Sequence, residues 1–452
     1  MPIRSHVDPT LFVPFIHIQG AALTHDLESV VTALNLRHGG SFSPVLNQLH
    51  VRTHQLVFHE TYHFWQGLRL PFVFRYALLS YRLAMQAFAF LSRHSSNISD
   101  WSCELPQFER LNLPSELGLS PNGKVLFGAS IRTARPAPLQ IIQITPLLLL
   151  ETAATLAEYY VTASGKKTDS TVFQRWCKKN PGYLSIFGAC AKFLNSEELT
   201  LRCLLPLINA CFQTTIPERA FALLLARTWG VFARGDEFSA KFLAQPEPCR
   251  WTELYEMWLN ELEFEPEPSV AEVLDNSFYR LHLEDWVNGG YGGKDGLTHP
   301  FLGPASRLWL RSAASDESLL SVMDFPGLVN GQTFALCMTE MQPPVSVYRF
   351  HLSSGNDRVV LHGDTAGKAF LGTTPLDAGQ YSGFIADTLT MYGAVRAASG
   401  AHFDEDQRTC HHENCPLYAQ NLCNAYPIVP ASFEHCGFAA RVDRLINLWR
   451  SS

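Results

Sequence analysis

Two histidines four residues apart, with a glutamate beside the first, make up His59-Glu60-Thr61-Tyr62-His63. On an α-helix, residues four apart share a face, so both imidazoles can hold one metal ion. Glu60 then stands next to the ion, in reach of a water bound to it. Two nitrogen ligands, an open coordination position and an adjacent base are what zinc-assisted hydrolysis requires. The surrounding sequence favours the helix. Residues 47–66 hold no Pro or Gly, and Leu49, Leu56, Val57, Tyr62 and Phe64 supply apolar contacts. Gly67 and Pro71 offer an ending. Among 17 histidines in 452 residues such a pentapeptide also arises by chance, as a helix with two partly buried histidines and an ordinary glutamate. The apolar Phe58, Tyr62, Phe64 and Trp65 around the pair argue for a site.

A third protein ligand is needed. Gln66 and Arg69 occupy the places where the longer H-E-x-x-H-x-x-G-x-x-H pattern requires glycine and histidine, which argues against that pattern. Residues 146–160 read as a buried helix with two charges, Glu151 and Glu158, sharing one face with Thr155. An ionised carboxylate in apolar surroundings is costly unless a cation or hydrogen bonds compensate it. A metal would do so; an arginine in a helical core is the alternative partner for Glu151.

With these residues the chain resembles the zincin metallopeptidases of the gluzincin type, whose scheme is H-E-x-x-H…E. The resemblance implies that His59, His63 and Glu151 are zinc ligands and Glu60 the general base. It makes Glu158 a carboxylate that orients a histidine ligand. The expected function is a zinc-dependent metallopeptidase that hydrolyses a peptide or protein substrate through a zinc-activated water. Tyr159, Tyr160 or His282 would meet the oxyanion. Two other readings stay open. Glu60-x-x-His63 is half of a carboxylate di-iron motif, so an iron-dependent oxygenase in a helical bundle is one, although no second E-x-x-H follows it. The other is a non-enzymatic regulator that senses metal or redox state.

Cys410, Cys415, Cys423 and Cys436 form a second cluster with spacing C-x4-C-x7-C-x12-C. Four thiolates can enclose a structural zinc or an iron–sulfur cluster. His402, His411, His412 and His435 are nearby substitutes, and disulfides or free thiols are the plainer alternative. The other seven of eleven cysteines lie scattered and read as buried thiols.

The bulk properties narrow the remaining classes. A net charge of −7 argues against nucleic acid as the main partner. The first residues lack the apolar core of a secretory signal, and no run is apolar enough to span a membrane. A soluble cytoplasmic protein is therefore expected, with room for a regulatory protein partner. Gly363-Asp364-Thr365-Ala366-Gly367-Lys368-Ala369 is one residue short of a phosphate loop and lacks its Ser/Thr.

The elements that must position these residues are mostly helices, expected over 25–94, 139–163, 171–245 and 251–259. Residues 101–138 look irregular, and β-like stretches occur at 345–350 and 359–361. Glu265-Pro266-Glu267-Pro268-Ser269 breaks the chain. The expected fold class is mainly α (α+β). A helical zincin-like core over 1–264 carries both motifs, a mixed α/β region follows over 270–400, and a Cys-rich metal-bound tail with a terminal helix covers 401–452.

Overall fold

The computed structural model describes residues 6–8, 13–19, 51–75, 129–131, 142–162, 173, 176, 185–232, 237–243, 249–269, 272, 346–351 and 357–362. Most of these are helical. In chain order they form β1 (His6–Asp8), β2 (Val13–Gln19), α1 (Val51–Arg69), β3 (Ala129–Ile131), β4 (Ile142–Ile144), α2 (Pro146–Thr162) and α3 (Ser185–Leu194). There follow α4 (Glu197–Cys211), α5 (Pro217–Phe232), α6 (Glu237–Leu243), α7 (Cys249–Glu261), β5 (Ser346–His351) and β6 (Asp357–His362). The expected Cys-rich tail and His282 lie outside the described residues.

Helix α1 carries the pentapeptide and ends at Arg69, between Gly67 and Pro71, the two residues expected to end it. One helical glycine costs only about 1 kcal/mol. Buried Phe64, Trp65 and Leu70 on either side outweigh that cost. The chain then turns at Pro71 into a short helical piece over 71–75, where the Phe72 amide donates to the Phe212 carbonyl at 3.3 Å.

Helix α2 starts later than the expected 139, because Ile142–Ile144 first forms a strand antiparallel to β3. Its β-branched isoleucines suit a pleated, half-buried surface better than a helix. Thr145 then caps α2: its Oγ1 accepts the Leu148 amide at 3.2 Å, and its carbonyl accepts the Leu149 amide at 3.0 Å. Pro146 fills the first helical position, where no N–H is needed. Ala153, Ala154 and Ala157 are fully buried, and α1 packs against α2.

Helix α4 is the hub, packed against α2, α3, α5 and α7. It is buried on nearly every side, as a central helix must be. The join to α3 is a well-formed stop and start. Asn195 takes φ 53°, and the Ser196 amide donates back to the Ala191 carbonyl at 3.2 Å. Ser196 then caps α4 through Leu199, with Glu197 and Glu198 in the first turn.

A four-stranded sheet of order β1-β2-β5-β6 lies beside α1. Strand β2 pairs parallel with β5, from Phe15↔Val347 to Gln19↔His351, and β5 pairs antiparallel with β6. Pro14 sits before that parallel register, where its missing N–H removes no bond to β5. Ile16 and Ile18, two apart, are both buried. The sheet thus joins strands from either side of the Pro-rich break at 265–269. That break is itself anchored: Glu267 donates its amide to the Gln213 carbonyl at 2.8 Å, and Arg75 Nη2 lies 2.6 Å from its buried carboxylate. Among the described residues no helix is long and apolar enough to cross a membrane.

Candidate metal centre

The packing of α1 on α2 brings His59, His63 and Glu151 to one point. His59 and His63 follow each other by one turn, with Nε2 atoms 3.2 Å apart and ring planes near perpendicular at 82°. Glu151 enters from α2, its Oε2 3.4 Å from each of those nitrogens. The three donor atoms form a nearly equilateral triangle. Around a tetrahedral zinc with bonds of about 2.0–2.1 Å, ligand atoms lie about 3.3–3.4 Å apart. The residues present therefore fit the ion. No fourth His, Cys, Asp or Glu joins the group among the described residues.

The other nitrogen of each ring is also engaged. His59 Nδ1 lies 3.3 Å from Glu158 Oε2. His63 Nδ1 lies 2.7 Å from the Gln66 carboxamide oxygen, to which it donates. With a ring proton on Nδ1 in each case, the Nε2 atoms of both rings are left turned to Glu151 Oε2. Glu151 and Glu158 lie seven residues apart on α2, two turns on one face, and each meets His59 at a different nitrogen.

The electrostatics show what holds the cluster together without an ion. Burial pushes the His59 imidazole down, but hydrogen bonds to Glu151 and Glu158 and the charge of Glu60 outweigh it, bringing the group up to about 10. Burial pushes the Glu151 carboxyl up, yet its hydrogen bonds with His59 and His63 hold it well below the usual carboxylate range. A positive charge among these donors is thus strongly favoured. In the metal-free protein a proton provides it, and a divalent ion would have to displace that proton.

The remaining expected residues fall in different places. Glu60 is buried on α1 and its charge acts on His59, but it is not one of the three donors. Tyr160 donates its hydroxyl to the Leu201 carbonyl of α4, which commits that proton to the core. Tyr159 is buried against Phe173 and Trp176. Cys410, Cys415, Cys423, Cys436 and the alternative oxyanion donor His282 lie outside the described residues. Gln66 is the neighbour that the ligand pattern did not single out. Its signal was its position three residues beyond His63, within side-chain reach on the same helical face. The chain matches no protein-family model, no curated protein and no solved structure, so this geometry stands by itself.

Proposed function

We propose that the chain is a zinc-dependent metallohydrolase that cleaves peptide bonds, with His59, His63 and Glu151 holding the ion. The observation that carries the reading is the donor triangle, with edges of 3.2, 3.4 and 3.4 Å. An ordinary core ion pair needs one histidine against one carboxylate. Here two imidazoles turn their Nε2 atoms to the same carboxylate oxygen while both Nδ1 atoms are occupied elsewhere. When bound, zinc supplies Lewis acidity toward water and toward a substrate carbonyl.

The chain's own groups would do the rest. Glu158 keeps the His59 ring proton on Nδ1 and so holds its Nε2 as a donor. Glu60, buried beside His59, takes a proton from the attacking water on its carboxylate. It later delivers that proton to the leaving amine nitrogen. Low exposure around the cluster strengthens each of these charge interactions. The C-terminal cysteines would hold a second zinc or an iron–sulfur cluster with a purely structural role.

Elemental analysis of the purified protein beside the His59→Ala/His63→Ala double variant tests the assignment. The expected result is one zinc lost in the variant, with any cysteine-bound metal retained. Iron lost in place of zinc would move the reading to an oxygenase. An unchanged metal content would remove the site.

A further inference from the structure

Gln66 links the two helices that build the cluster. It is 2% exposed, and both ends of its carboxamide are engaged. The oxygen accepts from His63 Nδ1 at 2.7 Å, and the nitrogen donates to the Leu150 carbonyl at 3.3 Å. A backbone carbonyl can only accept, so the amide nitrogen must face Leu150 and the oxygen must face His63. That orientation places the His63 proton on Nδ1 and leaves Nε2, which faces His59 and Glu151, as the nitrogen able to bind an ion. Leu150 directly precedes Glu151, so the same side chain ties one ligand's ring to the backbone beside another ligand.

We infer that Gln66 is a positioning residue of the metal centre, holding His63 in its metal-accepting tautomer and fixing α1 to α2 at the ligand level. The inference rests on the zinc reading. Its chemistry also explains the choice of an amide. Glu60, Glu151 and Glu158 already bring three carboxylates to the neighbourhood of one divalent ion. A neutral acceptor orients His63 without burying a fourth negative charge. The two histidines thus differ in their supports: a carboxylate behind His59, an amide behind His63.

The test compares wild type, Gln66→Met and Gln66→Glu for zinc affinity, by competition with a chromophoric chelator, and for the visible spectrum of the cobalt-substituted protein. Gln66→Met keeps the side-chain volume and removes the acceptor. Zinc affinity should fall by about 10–100-fold, the usual effect of losing such a partner, and the cobalt bands should shift. Gln66→Glu restores an acceptor for His63 and should recover affinity to within about tenfold of wild type, although its second oxygen now opposes the Leu150 carbonyl. Wild-type affinity and an unchanged cobalt spectrum in Gln66→Met would overturn the inference while leaving the zinc site intact. Equal losses in both variants would overturn it as well, since packing alone would then explain them. A wild-type protein that binds no zinc would remove the underlying reading and the inference with it. Should Gln66→Met fail to fold, Gln66→Glu decides: affinity within about tenfold of wild type supports the role, and a loss of about 100-fold ends it.

Discussion

His59 engages both ring nitrogens, one with Glu158 and one with Glu151, and this dual engagement separates a candidate ligand from an ordinary core histidine. Glu60 belongs to the same scale of argument. A carboxylate that moves a proton can be replaced by an amide of equal size without disturbing the three donors. Glu60→Gln should therefore retain zinc, while hydrolysis of a fluorogenic peptide mixture falls by about 10²–10⁴-fold. Normal turnover in that variant would exclude the mechanism drawn above. Glu218, far from the centre in function, offers a separate test of charge burial. It is 4% exposed, its Oε2 meets no hydrogen-bond partner, and burial raises its pKa. A carboxyl raised in the folded state favours folding fully below its ordinary value, and that contribution is lost as pH rises through the folded value. At neutral pH the buried charge is thus a cost. Glu218→Gln should raise the melting midpoint at pH 7, with the advantage disappearing once the pH falls below the ordinary carboxylate range. A pH-independent difference would contradict this account.

At the scale of elements, the position of Glu151 depends on how α2 begins. The Thr145 cap and Pro146 set the first turn, and Thr152 closes a further bond from its hydroxyl to the Leu148 carbonyl at 2.7 Å. Glu151 lies within the second turn, so fraying there displaces a ligand. Thr145→Ala should cost about 1 kcal/mol in urea unfolding. It should also weaken zinc binding, whereas Ser196→Ala, the equivalent cap of α4, should cost a similar amount with zinc affinity unchanged. Equal zinc affinities in the two variants would show that the first turn of α2 does not position the ligand. The alanines of α2 offer a separate test of packing. Ala153 is fully buried, so Ala153→Leu forces extra volume into a closed interface and should cost about 1–3 kcal/mol.

For the whole molecule, a metal held between α1 and α2 is linked to global stability. Zinc that binds only the folded state stabilises it by about 2.7 kcal/mol when present at 100 times its dissociation constant. Thermal unfolding of chelator-treated protein should therefore shift upward on adding zinc. The His59→Ala/His63→Ala variant should lack that part of the response. An identical shift in both proteins would place the stabilising ion elsewhere. The buried ion pair between Arg75 and Glu267 and the parallel pairing of β2 with β5 tie distant parts of the chain to the same body. Contacts of that range are slow to form, because a long loop must close before they contribute.

The amino-acid sequence by itself specified the local features. His59, Glu60 and His63 announce a helical face through their spacing, and the two lone charges in an apolar run mark Glu151 and Glu158. Mainly helical structure follows from the same periodicity, which local backbone and burial preferences determine within a few turns. The start of α2 was less legible, because a pair of isoleucines is decided by what packs on them. Strands β1 and β2 carry too little alternation around Pro14 to stand out; β2 becomes a sheet strand through a partner more than three hundred residues away. Only the tertiary structure set the three donor atoms 3.2–3.4 Å apart, engaged Tyr160 with the core and placed Gln66 between His63 and Leu150. Spacing along one helix governs which side chains share a face. The distance between two helices is set by how they pack in the tertiary structure, and that distance decides whether three donors can close on one ion.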